Sequence, residues 1–254
     1  RGFLVSILIT LVCIHRSAFK QSITRKDAPL VITRSILDLS ATLFFLTALF
    51  NMPLANANAI LQILPLTVTL FGAIFLGEKF GWYRAIAIMF GFLGVIFITK
   101  PGTSGFNVYS VFAIIAVLFI TTREIVTRRI SKESSTLLIA LITAIAITLS
   151  GGIGLIFLGN WMEASPSTFL GLGAASLFIF MAYYFSIPAM QYGEISFVSP
   201  FRFTLMLWAV LLGFLVFDEI PDKLTFLGAT IIILSGIFTI YRESLTKNPN
   251  KYET

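Results

Sequence analysis

The chain is a succession of long apolar runs separated by short polar stretches. The pattern predicts about nine helices, at residues 1–15, 30–50, 56–77, 82–100, 107–127, 135–158, 167–190, 195–217 and 224–241. Several of the breaks contain a proline that stops a helix, among them Pro53, Pro101 and Pro221. Runs of roughly 18 or more apolar residues are long enough to cross the hydrocarbon core of a bilayer. The pattern therefore predicts an all-α polytopic membrane protein.

Composition agrees with a membrane location. Hydrophobic residues make up 57% of the chain and charged residues 12%, whereas a soluble domain has about 25% charged residues. The net charge of +6 is spread over short loops, so it indicates topology and not nucleic-acid binding. The single Cys13 and the single His15 exclude a disulfide within the chain and a metal site built on several histidines. No catalytic motif or Walker sequence is present, so we expect no cofactor, no metal and no enzyme activity.

An internal repeat organises the chain. Residues 58–81 echo residues 199–222, and superposing the two stretches places Gly72 on Gly213 and Glu78 on Glu219. Basic residues concentrate in alternate loops and in the tail: Arg16, Lys20, Arg25, Lys26, Arg34, Lys79, Arg84, Arg128, Arg129, Lys132, Arg242, Lys247 and Lys251. The positive-inside rule predicts that these loops and the C-terminus are cytoplasmic. The two repeats then have opposite orientations, which is typical of secondary transporters.

Short motifs in both copies resemble the EamA-type unit of the drug/metabolite transporter superfamily. The motifs are Pro65 with Leu76-Gly77-Glu78 in the first copy, and in the second Pro200-Phe201-Arg202-Phe203, Asp218-Glu219-Ile220-Pro221, Gly228, Ser235-Gly236 and Tyr241-Arg242-Glu243. Asp218 departs from the family pattern, which usually has glycine there. The chain is most similar to the branch that contains S-adenosylmethionine uptake transporters and related organic-anion carriers.

The resemblance implies two inverted EamA-type repeats, ten transmembrane helices, cytoplasmic termini and alternating access through a central cavity. We expect the repeats at residues 1–101 and 107–243, with a cytoplasmic tail at 244–254. The first repeat shows one helix fewer than the second, so we expect a fragment whose missing first helix precedes Arg1 and whose second helix, at residues 1–15, is truncated. The implied function is secondary transport of a small polar metabolite, amino-acid-like or carboxylate-bearing, such as S-adenosylmethionine. The implied location is a bacterial inner membrane, with a eukaryotic membrane as the alternative.

Arg202 is the sharpest candidate for substrate binding. An arginine at the centre of a membrane helix costs about 2.5–3.5 kcal/mol on insertion scales, and Pro200 loosens the start of this helix. A fixed guanidinium can bind a carboxylate through two parallel hydrogen bonds. The alternatives are an arginine that reaches the headgroups or one that is held in a structural pair. Arg202 superposes on Leu61 of the first copy, so the shared fold does not require the charge.

The remaining candidates fall into a substrate-binding group and a coupling or gating group. The first group is Asn58, Gln62, Tyr183, Tyr184 and Trp208, for which helix packing or interface anchoring is the alternative role. The second group is Arg34, Asp38, Glu78 and Glu219. Arg34 and Asp38 are spaced to pair with each other; alternatively, Asp38 carries a coupling proton. Arg123, Glu124 and Arg128 are predicted to form a charge cluster at the cytoplasmic end of their helix.

Two functional classes compete. A transporter would have a small-molecule substrate, the lipid bilayer and either protons or a counter-substrate as partners, and it would act as a monomer or a homodimer. A non-transporting membrane scaffold or regulatory protein on the same fold is the alternative. Because only a transporter needs a polar, water-accessible cavity, such a cavity separates the two predictions.

Overall fold

The computed structural model is all-helical over the residues that it describes, which are 2–52, 57, 60–77, 81–99, 108–158, 165–205, 207, 208, 211, 215 and 223–247. The helices are α1 (Gly2–His15), α2 (Ala28–Asn51), α3 (Leu64–Leu76), α4 (Trp82–Thr99), α5 (Val108–Arg129), α6 (Thr136–Leu158), α7 (Pro166–Tyr192), α8 (Ile195–Val198) and α9 (Lys223–Lys247). Short 3-10 segments lie at Ala18–Lys20 and Ser199–Phe203. The all-α prediction is confirmed.

Four helices in the described ranges are long and apolar enough to cross a membrane. They are Ala28–Asn51, Val108–Arg129, Thr136–Phe157 and Pro166–Tyr192. Shorter apolar helices include Gly2–His15 and Leu64–Leu76. Phe157 and Ile156 near the end of α6 are 84% and 80% exposed, which suits contact with lipid tails and not with water. The full count of membrane helices and the inverted repeats stay predictions.

The predicted helix at 56–77 is wrong in one part, because the chain forms a turn at Gln62 and Ile63 before α3 begins at Leu64. The amide of Ile63 donates to the carbonyl of Ile60 at 3.1 Å, a tighter turn than an α-helix has. Pro65 explains the break, because it has no N–H and its ring excludes the carbonyl four residues earlier. Helix α3 is terminated by Gly77, which adopts the left-handed conformation at φ 66° that glycine takes up without a steric penalty.

The predicted α-helix at 195–217 also needs correction at its start. The four-residue α8 gives way to the 3-10 segment Ser199–Phe203. Pro200 lies in the first turn of that segment and removes one backbone donor. At the other end of the chain α9 continues to Lys247, beyond the predicted end at residue 241.

The chain forms two compact units, and each unit combines segments from both halves of the sequence. The first unit comprises Arg1–Ser40 and Val126–Gly193. Its buried core is built mainly from α1, α6 and α7: Val5, Ile9, Cys13, Ile139, Ala140, Ala144 and Ile187. Close packing of α1 on α6 is reinforced by a 3.1 Å hydrogen bond between the hydroxyls of Ser6 and Thr148.

The second unit comprises Ala41–Ile125 and Glu194–Thr254. Its helices α4 and α9 approach so closely that a Cβ on Gly94 would lie 2.7 Å from the carbonyl oxygen of Gly228. Phe203 of the 3-10 segment is buried between these helices, with Ile88 and Ile232 in the same core cluster. The packing therefore anchors the residue next to Arg202 in the interior of this unit.

Candidate substrate-binding and coupling sites

A buried polar cluster lies in the first unit, where α2 meets α5, α6 and α7. Arg34 is 3% exposed; its Nε donates to Thr127 Oγ1 at 3.0 Å and its Nη1 to Thr143 Oγ1 at 2.6 Å. The hydroxyl of Ser35 lies 3.2 Å from the same Thr143 hydroxyl. Thr127 belongs to α5 and Thr143 to α6, so hydroxyl groups of two other helices hold the guanidinium in one place. We call Arg34, Ser35, Asp38, Thr127, Thr143 and Tyr183 the α2 polar cluster.

Asp38 extends this cluster by one helical turn. It is 4% exposed, and its Oδ2 accepts a 2.8 Å hydrogen bond from the Tyr183 hydroxyl of α7. A carboxylate inside a helix that can cross a membrane is costly, and such groups are commonly part of an ion or substrate pathway. The structure thus brings the predicted coupling residue Asp38 together with the predicted substrate-binding residue Tyr183.

A second charged site lies in the second unit. Arg202 Nη2 lies 2.8 Å from Glu124 Oε1, and Arg123 forms an ion pair with the same oxygen. The Glu124 side chain is 5% exposed, whereas that of Arg202 is 26% exposed. Arg202 therefore lies partly open beside a carboxylate that is almost fully buried. We call Arg123, Glu124 and Arg202 the Glu124 ion-pair site.

Two polar atoms near the irregular helix starts are buried without a hydrogen-bond partner in the part of the chain that the structure describes. They are Nε2 of Gln62 and Nε of Arg202. Gln62 is 2% exposed, so its amide is enclosed by protein and not by water. A buried donor without a partner costs about 1–3 kcal/mol. Such donors are candidates for contact with a bound solute.

Two more of the predicted site residues, Tyr184 and Trp208, lie in the described part of the chain. Tyr184 is half-buried, and its ring contacts those of Phe180 and Phe185. Trp208 is 59% exposed. Asn58, Glu78 and Glu219 lie outside the described residues. The predicted roles of all these residues in binding, coupling or gating stay predictions.

Sequence reasoning placed Glu124 in a charge cluster but missed it as the partner of Arg202. The available signal was a lone carboxylate in the apolar run at 107–127, yet the pairing joins residues far apart in sequence. It also missed Thr127 and Thr143, because threonine in an apolar helix has no distinctive pattern. Of the predicted charge cluster, Arg123 and Glu124 form an ion pair, and Arg128 Nη1 donates to the carbonyl of Gln191 at 2.9 Å.

A network at one end of the first unit fixes the connection between α5 and α6. The carboxylate of Asp27, just before α2, accepts hydrogen bonds from the amide and hydroxyl of Ser131 and from the hydroxyl of Ser134. Burial raises the pKa of Asp27, but these hydrogen bonds outweigh burial and leave the pKa below its ordinary value. Gln191 at the end of α7 donates to the carbonyl of Ser131. Four helix ends are thereby tied together.

Long apolar helices, lipid-compatible exposed faces and charges buried inside potential spans together define an integral membrane protein. The chain belongs to the EamA-like transporter family, whose sequence profile matches residues 2–100 and again residues 108–242. The family resemblance seen in the short motifs is confirmed. Within the described residues no group of histidine, cysteine and acidic side chains is arranged to hold a metal ion.

Several characterised relatives have transporter names. The chain is 26% identical over 208 residues to the S-adenosylmethionine uptake transporter of Rickettsia prowazekii, covering 80% of this chain and 68% of that protein. It is 27% identical over 243 residues to the riboflavin transporter of Vibrio cholerae, covering 93% and 79%. It is 25% identical over 228 residues to the pseudopaline exporter of Pseudomonas aeruginosa, covering 85% and 76%.

A solved crystal structure has the same fold. It aligns with a TM-score of 0.80 at 17% sequence identity and covers 94% of this chain and 89% of that one. Because the identity is low, this likeness concerns the fold alone.

Proposed function

We propose that the protein is a secondary transporter that carries a small polar metabolite across a bacterial inner membrane by alternating access. The observation that carries the proposal is the burial of Arg34, Asp38 and Glu124 inside helices that can cross a membrane. Buried charges of this kind are costly in a bilayer and are typical of substrate and ion pathways. A scaffold has no need of them. The transporter names of the relatives support the same class.

The proposed substrate class is an amino-acid-like or carboxylate-bearing solute, such as S-adenosylmethionine. Arg202 supports this choice, because its side chain is partly exposed and a guanidinium is the side chain best suited to bind a carboxylate. Gln62 supplies a further buried amide donor without a partner among the described residues. The relatives are named for uptake and for export, so family membership sets no direction of transport.

Uptake into proteoliposomes tests the function and the role of Arg202 together. The wild-type protein is screened with anionic, neutral and cationic metabolites, including S-adenosylmethionine. We expect Arg202→Ala to reduce saturable uptake of the carboxylate-bearing solute at least about tenfold, because losing a hydrogen bond to a charged group costs about 1.5–3 kcal/mol. The measurements are KM and maximal rate at equal amounts of reconstituted protein.

Arg16→Ala is the matched control, because Arg16 is exposed just beyond α1 and we expect its removal to leave uptake unchanged. An unaltered KM in Arg202→Ala contradicts the role of Arg202. If the wild-type protein shows no saturable uptake of any solute, the scaffold alternative replaces transport.

A further inference from the structure

The Glu124 ion-pair site contains one carboxylate that two arginines share. Oε1 of Glu124 accepts from Nη2 of Arg202 at 2.8 Å and also pairs with Arg123. The 5% exposure of Glu124 keeps this carboxylate away from bulk solvent, so its attraction to a nearby guanidinium is weakly screened. Any second carboxylate that approaches Arg202 must therefore compete with Glu124.

The contact with Glu124 engages Nη2 of Arg202 but not its Nε. A carboxylate binds an arginine best when its two oxygens take two parallel N–H groups of the guanidinium. Here one oxygen of Glu124 contacts Nη2, while the adjacent Nε is buried with no hydrogen-bond partner among the described residues. The edge formed by Nε and Nη2 is thus half occupied. A carboxylate bound side-on would satisfy both donors.

We propose that Glu124 is a displaceable counter-ion that competes with the carboxylate of a transported solute for Arg202. Glu124 holds the guanidinium in position when the site is empty and releases Nη2 when a solute carboxylate takes the Nε and Nη2 edge. Glu124 is then a specificity-determining residue that does not itself bind the solute. The inference rests on the proposed function, in particular on Arg202 as the carboxylate-binding residue.

The competition has a direct consequence for affinity. Replacing Glu124 by glutamine removes the competing charge but keeps the shape of the side chain, so a solute carboxylate no longer has to displace an anion. We expect the dissociation constant for S-adenosylmethionine to fall about tenfold, which is the size of effect that coupled binding sites commonly show. Decarboxylated S-adenosylmethionine has no carboxylate and carries only positive charges, so its affinity should not rise in Glu124→Gln.

The test is binding of these two compounds to the full chain in detergent, measured by calorimetry for wild type, Glu124→Gln and Glu133→Gln. Glu133 is exposed in the connection between α5 and α6, so its replacement changes the net charge equally without touching the site. Tighter binding of S-adenosylmethionine in Glu124→Gln alone supports the proposal. An unchanged or weaker affinity in Glu124→Gln overturns it, because a purely structural partner of Arg202 would behave in that way.

A second readout needs no transported solute. Phenylglyoxal modifies accessible arginines, and mass spectrometry gives its rate at Arg202. Glu124→Asp keeps the charge but retracts the carboxylate by one methylene, so we expect labelling of Arg202 to accelerate about fivefold in this variant and in Glu124→Gln. Equal rates in all three proteins overturn the proposal. If labelling is faster in the variants but the wild type shows no saturable uptake, the proposed transport function is contradicted. The control of Arg202 by Glu124 is then still supported.

Discussion

At the scale of single residues, burial and hydroxyl partners decide what the charges of α2 can do. Arg34 and Asp38 are each less than 5% exposed, and each is held by hydroxyl groups from other helices. Each hydroxyl group fixes the position of a charged side chain, whereas the sequence alone predicts only the helix face on which that side chain lies. The α2 polar cluster is therefore a pre-organised site, in which the loss of one hydroxyl leaves a charged group with fewer hydrogen bonds.

Asp38 is proposed to carry the coupling proton, and Tyr183 to position it. We expect Asp38→Asn to abolish accumulation of S-adenosylmethionine driven by a pH gradient, because an amide cannot take up and release the proton. Exchange of labelled for unlabelled solute at equal pH on both sides should persist. The measurement compares these two assays in the same proteoliposomes, and parallel loss of both would contradict a role confined to coupling.

Neighbouring tyrosines provide a matched pair for the hydrogen bond to Asp38. Tyr183→Phe removes the hydroxyl that donates to Asp38 at 2.8 Å, and we expect it to lower gradient-driven accumulation about tenfold. Tyr184→Phe keeps the ring that packs on Phe180 and Phe185, and it should resemble the wild type. Equal effects of the two variants would rule out a specific role for the Tyr183 hydroxyl. This pair and Asp38→Asn test one coupling prediction.

At the scale of elements, the two repeat copies share an irregular backbone at the same position. Gln62 of the first copy superposes on Phe203 of the second. A turn lies at Gln62 and Ile63, and a 3-10 segment ends at Phe203. Irregular backbone at membrane depth is tolerated where it is buried in protein or lines a cavity. Both irregular starts carry a candidate residue, Gln62 in one and Arg202 in the other.

The contact between α4 and α9 depends on glycine. A Cβ added to Gly94 would lie 2.7 Å from the backbone oxygen of Gly228, which cannot move aside as a side chain can. We expect Gly94→Ala to destabilise the protein by about 1–3 kcal/mol, the usual cost of overpacking. Thermal unfolding of the detergent-solubilised protein measures the effect.

Gly236→Ala is the control for this contact. A Cβ at Gly236 would meet no described residue within 4 Å, and alanine favours the helix over glycine by about 0.5–1 kcal/mol. Its melting temperature should equal or exceed that of the wild type. If Gly94→Ala is as stable as Gly236→Ala, the close approach of α4 and α9 is not required for stability.

At the scale of the whole molecule, the basic loops predict the orientation in the membrane. Lys132 lies in the connection between α5 and α6, and its carbonyl accepts a hydrogen bond from Tyr192 at the end of α7. Ser165 caps the start of α7. The 27 residues of α7 span about 40 Å at 1.5 Å per residue. Lys132 and Ser165 therefore mark opposite ends of a helix that is long enough to cross the bilayer.

We predict that the Lys132 end is cytoplasmic, as is the C-terminus. In a Cys13→Ala background, Lys132→Cys should react with a membrane-impermeant thiol reagent only after the cells are permeabilised, because its loop belongs to the basic set. Ser165→Cys should react in intact cells. Labelling is measured on purified protein, and the reverse pattern would contradict the predicted orientation.

The sequence determined the all-α membrane class, the family and most helix bounds, because these depend on local properties. Runs of apolar residues and the prolines between them are visible in the sequence itself, and they predict the positions of α1, α2, α6 and α7 directly. The family could be recognised from the repeat motifs for the same reason, because each motif is a short local stretch of sequence. Local pattern also identified Arg202 and Asp38 as charges inside apolar runs.

Only the tertiary structure decided which groups those charges meet. Tyr183 reaches Asp38 across a separation of 145 residues, and Glu124 reaches Arg202 from another helix. Hydrophobic periodicity places a residue on a face but does not specify its neighbour, because contacts between distant segments depend on how all the helices pack. Gln62 shows the same limit: its polarity was visible in the sequence, but the burial of its Nε2 with no hydrogen-bond partner in the described part of the chain is a property of the packed interior.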